Sequence, residues 1–280
     1  MDHIGRRLTA PFLIGVLATL GTLATYHVFV RTISGQWLDT AAMLGTDISH
    51  PRLAGLLSRS LDATNMRTLL VICLIVAAIG LARRRADLAA GAAVLVLGAN
   101  ITTQLLKSRL PRPALDGLSY PNSLPSGHTT AAASVAFAVV LVLPEAVRGL
   151  AALAGSLGTA VIAIGTVWAR WHRPSDAIAA LLVVLAWGAL VAFAIRLRPS
   201  RTPRGPSRTP RPSRIGTLPL LVTGAVAVPV TVAGLLFGKT SSAMATLPEP
   251  SRLTFVTGAA GIAAVVAVSF LAWLWLTSSD

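Results

Sequence analysis

The sequence predicts an all-α integral membrane protein. Three observations lead there. Of 280 residues, 54% are hydrophobic and only 12% are charged, about half the charge of a soluble domain. The mean hydropathy is +0.72. Charge-free apolar runs also recur along the chain at lengths suited to a bilayer. These features exclude an ordinary soluble domain and a disordered chain. With 24 Lys+Arg against 10 Asp+Glu, the net charge is +14. The cations are scattered between apolar runs, so membrane phosphate groups, and not nucleic acid, are the expected partner. The single cysteine, Cys73, lies inside the run VICLIV. It excludes an internal disulfide and a cysteine-only zinc site.

The runs, in order, are Leu8–Val30, Thr68–Ala82, Leu88–Leu106, Gly117–Pro144, Gly149–Ala169, Ala177–Ile195, Ile215–Gly238 and Leu253–Ser279. Each is read as a span, eight in all. The first follows Arg6 and Arg7 but is too long for a signal peptide and has no clean small-residue cleavage site after it, so it is read as a retained span. The second is short and relies on Arg67 snorkelling outward. The fourth is a loop first and a helix only from about His128. Gly and Ala are frequent in the spans, which suits close helix packing in lipid. Two blocks result: a six-span core over residues 1–196, and a pair of C-terminal spans over 215–280. Between them residues 197–214 form an Arg/Pro/Ser-rich linker, expected to be flexible and cytoplasmic.

The positive-inside rule orients the chain. With both termini inside, the inner face holds the Arg83–Arg85 triplet, Arg148 and the linker. It carries 13 of the 24 Lys+Arg. The outer face then receives 107–127, 170–176, 239–252 and the long segment Arg31–Arg67, expected to be partly helical along the interface.

Three clusters that carry chemistry fall on that outer face. The first, Lys107-Ser-Arg-Leu-Pro-Arg-Pro113, places three cations in six residues at a span end. Alone it also reads as headgroup snorkelling. The second, Pro125-Ser-Gly-His-Thr-Thr130, opens the fourth span. Ser126 stands where an N-cap is expected, and helix N-termini attract anions. Gly127 permits close backbone approach. His128 follows at the membrane surface. The third, Arg170-Trp-His-Arg-Pro-Ser-Asp176, opens the sixth span with Pro174 in the first helical turn. His172 and Asp176 are four residues apart, a spacing that lets the carboxylate reach one ring nitrogen and stabilise an imidazolium. Together the clusters supply two histidines, a carboxylate, cations and a helix N-terminus. That set suits phosphoryl transfer through histidine. No metal-ligand pattern, paired carboxylates or nucleotide loop competes with it, so no metal and no cofactor is expected.

On these residues the chain resembles the type 2 phosphatidic acid phosphatase (PAP2) family, which shares its core with vanadium haloperoxidases and carries the motifs K-x6-RP, PSGH and SR-x5-H-x3-D. PSGH stands complete at Pro125–His128 and H-x3-D at His172–Asp176. The resemblance implies a PAP2-like six-helix core, with the last two spans outside it. It implies that His172 is the nucleophile, Asp176 its orienting carboxylate and His128 the general acid. It implies that Lys107, Arg112, Ser126 and the Gly127 N–H hold phosphate. Two departures stand out. The lysine spacing is K-x4-RP, so the family's lysine position is Leu105, about 200° around the helix from Lys107. For Lys107 to reach the site, the prolines are expected to end the helix early. The SR pair is replaced by Gly165-Thr166, and Arg170, four residues on, or Arg109 is expected to supply the missing charge.

The expected activity is hydrolysis of a phosphomonoester or pyrophosphate on an outer-leaflet lipid, in the plasma (inner) membrane, with an extracytoplasmic site. Phosphotransfer to another alcohol, or a transporter or scaffold that kept the fold, are the alternatives.

Overall fold

A computed structural model describes residues 2–46, 55, 66–197, 214–241 and 250–278. Nine helices are described: α1 Asp2–Val30, α2 Ile33–Leu44, α3 Met66–Ala82, α4 Ala86–Arg109, α5 Gly127–Val142, α6 Glu145–Trp168, α7 Pro174–Leu197, α8 Arg214–Ser241 and α9 Arg252–Ser278. No strand occurs among the described residues. The fold is all-α.

Among the described residues, six helices are long and apolar enough to cross a membrane: those over 8–30, 86–109, 145–168, 174–197, 216–236 and 252–278. The other two expected spans are shorter apolar helices, Val71–Ala82 and Gly127–Val142. Of the eight expected spans, six are helices of full length, and the other two fall short of that length. Residues 198–213 of the linker and most of the segment between α2 and α3 lie outside the described residues.

The helix faces fit a lipid solvent. Leu17, Leu97 and Val226 point outward, each more than 60% exposed. Threonines inside the spans return their hydroxyls to the carbonyl four residues back, as Thr22 does to Ala18 at 3.0 Å and Thr257 to Leu253 at 2.8 Å. In hydrocarbon such internal satisfaction is required.

One hydrophobic cluster joins α1 and α3 through α9, with Leu95, Phe137, Leu181 and Trp273 at its centre. α1 packs along α7, and α4 packs against α3, α5 and α7. α9, expected on the periphery, packs against α2, α6 and α7. Its Trp273 stacks on Phe137 with centroids 5.0 Å apart and donates Nε1–H to the Phe137 carbonyl at 3.0 Å. At Gly258 a Cβ would lie 2.5 Å from Pro174 Cγ. Only glycine lets α9 come this close to the start of α7.

Alternation of helix direction brings the C-terminus of α4, the N-terminus of α5, the C-terminus of α6 and the N-terminus of α7 to one end of the bundle. α2 lies across that end. It is polar on one face: Gln36, Asp39 and Thr40 follow the i, i+3, i+4 rule and are all buried.

Candidate active site

The 110–126 connection carries Arg112 and is held by side chains from the first two helices. Tyr26 donates to the Pro111 carbonyl at 2.8 Å. Gln36 donates to the Pro113 carbonyl at 2.7 Å and accepts from the Leu115 N–H at 3.1 Å. Thr40 donates to Asp116 Oδ2 at 2.6 Å.

α5 starts at Gly127 because Ser126 caps it, accepting from the Thr129 N–H at 3.4 Å and the Thr129 hydroxyl at 3.1 Å. The N–H groups of Gly127 and His128 have no intrahelical partner. The Ser126 N–H donates to the Asp176 carbonyl at 2.9 Å, which joins the PSGH turn to the H-x3-D turn. At Gly127 a Cβ would meet only Gln104 Nε2, at 3.6 Å. No protein atom there demands glycine.

α6 ends at Trp168, and a turn returns the chain to α7. The Trp171 and His172 N–H groups both donate to the Thr166 carbonyl, at 3.0 and 3.2 Å. Thr166 thus supports the turn that carries His172, and no cation stands at 165 or 166. The His172 ring is buried, with Nδ1 3.1 Å from Asp176 Oδ2. That oxygen also accepts from the Ser123 hydroxyl at 2.6 Å and the Arg173 N–H at 3.0 Å. A carboxylate facing Nδ1 favours the tautomer with the proton on that nitrogen and the lone pair on Nε2. The His128 ring lies 6.0 Å from the His172 ring, edge to face, and 5.6 Å from Trp171.

The cations divide. Lys107 is half-buried and close enough to act electrostatically on Asp176 and His128. The helix does not end early, as the sequence reading required; α4 continues through Arg109. Lys107 reaches the site from a continuous helix, while Leu105 is 53% exposed on another face. Arg112 is half-buried beside Arg173 and three carboxylates, Asp39, Asp116 and Asp176. Burial lowers its pKa from the usual guanidinium value, and the Arg173 charge lowers it further. Arg170 departs from expectation. It is exposed, its backbone is left-handed at φ 60, and its guanidinium donates to the Thr46 carbonyl at 2.5 Å. Arg109 is also exposed. Neither joins the buried cluster.

Asp39 and Arg173 are the neighbours that motif spacing did not single out as site residues. The Asp39 carboxylate accepts from the Ser175 N–H at 3.0 Å and the Ser175 hydroxyl at 2.5 Å. Burial, with repulsion from Asp176 second, pushes its pKa up to about 7. The legible signal was the polar face of α2 in an otherwise apolar chain.

Residues 88–200 match the family model described as the PAP2 superfamily, which takes in both histidines, Asp176, Lys107 and Arg112. No curated protein and no solved structure matches the chain. The match supports a phosphatase-type activity, coarsely that of a hydrolase. This segment, which holds the PSGH and H-x3-D turns, is similar to the PAP2 superfamily.

Proposed function

We propose that the protein is a lipid phosphate phosphatase that works through a phosphohistidine. The observation that carries this reading is the buried His172–Asp176 pair, 3.1 Å apart, with the His128 ring 6.0 Å from that of His172. In the first step, His172 Nε2 bonds to phosphorus as the ester P–O bond breaks. His128 gives its proton to the leaving oxygen. Asp176 holds the Nδ1 proton and stabilises the charge that develops on the ring. In the second step, water bonds to phosphorus, the N–P bond breaks, and His128 takes the water's proton. Lys107, Arg112 and the free N–H groups at Gly127 and His128 stabilise the equatorial oxygens, which is most of what phosphoryl transfer asks of a protein.

The lipid substrate is supported by an apolar cavity of about 210 Å³ between α1, α4 and α7, lined by Leu23, Tyr26, Leu106, Leu110 and Leu124. Leu106 adjoins Lys107 in the chain, and Leu124 lies two residues before Ser126. A headgroup in the site therefore leaves its first methylenes a dry path toward the bilayer. The substrate is a phosphomonoester or pyrophosphate on a lipid of the outer leaflet of the plasma membrane. Arginine placement in the sequence supports that side. Residues 1–196 form the catalytic core in this proposal, and 215–280 a supporting pair.

The test is phosphate release by the detergent-purified protein in EDTA from a panel of lipid phosphates, beside His172→Ala. Release by the wild type and none by the variant is expected. Equal background release from both across the panel would overturn the reading.

A further inference from the structure

Two neighbouring guanidinium groups carry buried N–H donors with nothing to bond. Nη1 and Nη2 of Arg112 and Nη2 of Arg173 are buried without an acceptor. Arg173 is only 2% exposed. Its remaining contacts fix it. Nε donates to Thr40 Oγ1 at 3.2 Å, and Nη1 donates to Ser123 Oγ at 3.3 Å. The Tyr120 ring covers the guanidinium, with 5.2 Å from Cζ to its centroid.

The direction of these bonds is also settled. Thr40 gives its hydrogen to Asp116, and Ser123 gives its hydrogen to Asp176. Each hydroxyl therefore turns a lone pair to Arg173. The side chain is held on two nitrogens and one face, and the third nitrogen is left open. Asp176 Oδ1 does not take up that donor, since it is itself buried without a partner.

Buried charged donors without acceptors are costly, and two neighbouring like charges add to the cost. One multivalent oxyanion shared by both guanidiniums removes both costs, and planar N–H forks suit phosphate oxygens. We propose that Arg173 is a direct phosphate ligand: its Nη2 binds a non-bridging oxygen of the phosphate group that Arg112 also holds. Thr40, on α2 and outside the 88–200 segment, is the positioning residue that aims it. The inference rests on the proposed function only for the identity of the anion as a phosphate ester.

The experiment uses inorganic phosphate as the probe and the detergent-purified full chain. Binding is measured by titration calorimetry, and the melting temperature without phosphate reports on folding. Arg173→Gln is expected to weaken phosphate binding about tenfold or more, with Arg173→Lys recovering part of the loss. Arg112→Gln should weaken it similarly. The double variant should fall short of the product of the two losses, because both act on one ligand. Binding by Arg173→Gln within about twofold of the wild type, or no phosphate binding by the wild type, would overturn the proposal. If Arg173→Gln does not fold, Thr40→Val takes its place. It keeps the guanidinium and removes the Nε acceptor, and unchanged phosphate affinity in that variant would equally overturn the proposal. Because binding is read without turnover, the two readings separate. Arg173-dependent phosphate binding without lipid phosphate hydrolysis would sink the phosphatase and leave the ligand assignment standing. Hydrolysis with Arg173-independent phosphate binding would do the reverse.

Discussion

Asp39 and Ser175 are joined twice, through the Ser175 N–H at 3.0 Å and its hydroxyl at 2.5 Å. The bond ties α2 to the residue beside Asp176. It fixes the first turn of α7, and with it the angle at which Asp176 meets His172. Asp39→Ala leaves two Ser175 donors buried without an acceptor, at a cost of about 1–3 kcal/mol. The variant should show a lower melting temperature in detergent and a reduced kcat. An unchanged melting temperature would separate α2 from the site.

The raised pKa of Asp39 gives that contact a pH dependence of known sign. In the folded protein the group holds its proton up to about 7, against 3.8 as the reference. The folded state binds more protons across that interval, so stability is greatest at its acid end. It declines as pH rises toward 7 and levels off above it. Melting temperatures of wild type and Asp39→Asn, compared from pH 4 to 8, should diverge in favour of the variant as pH rises. Parallel curves would contradict the assignment.

The acid role of His128 is testable through the leaving group. A nitrophenolate departs without a proton, whereas an alkoxide needs one. His128→Ala should cost about 10²–10⁴ in kcat on alkyl phosphates and far less on nitrophenyl phosphate. Equal losses on both would assign His128 to binding instead. In the wild type, the rate on alkyl phosphates should fall on the alkaline side as His128 loses its proton.

In the proposed mechanism, lysine and arginine side chains neutralise the phosphate charge. Among the described residues no three His, Cys, Asp or Glu side chains gather to hold one. Phosphate release should persist in excess EDTA. Its loss, restored by added divalent cation, would require a different mechanism.

The approach of α9 to Pro174 predicts an effect from a distance. Gly258→Val places a Cβ 2.5 Å from Pro174 Cγ, and relief by helix displacement costs about 1–3 kcal/mol. Because Pro174 opens the helix that carries Asp176, kcat should fall together with the melting temperature. A variant with lower stability but full activity would separate the two.

The three site clusters were legible because each combines a span end with residues whose chemistry is specific. The helix class was legible from runs without charge. The geometry between clusters was not. The change of register from Leu105 to Lys107 reads as a defect along the chain. In three dimensions, α4 turns its Lys107 face inward and its Leu105 face out. Stepping four residues from Thr166 along a helix leads to Arg170, but α6 ends at Trp168. The chain turns there, and the residue it buries is Arg173. Asp39 and Thr40 escaped because their partners, Ser175 and Asp116, are 136 and 76 residues away, and no local pattern encodes such pairs. α9 looked peripheral because its sequence is a plain apolar span, and only packing reveals what Trp273 stacks on.

The brace on α2 also bears on transplantation. Residues 88–200 delimit what is recognisable as the family segment. Grafted alone into another helical frame, they would carry both histidines and Asp176 but leave Ser175 without Asp39 and Arg173 without Thr40. Such a chimera would inherit the reacting groups and lose their aim. The portion of this chain that can be exchanged as a working part therefore begins upstream of the family segment, with the helix that bears Gln36, Asp39 and Thr40.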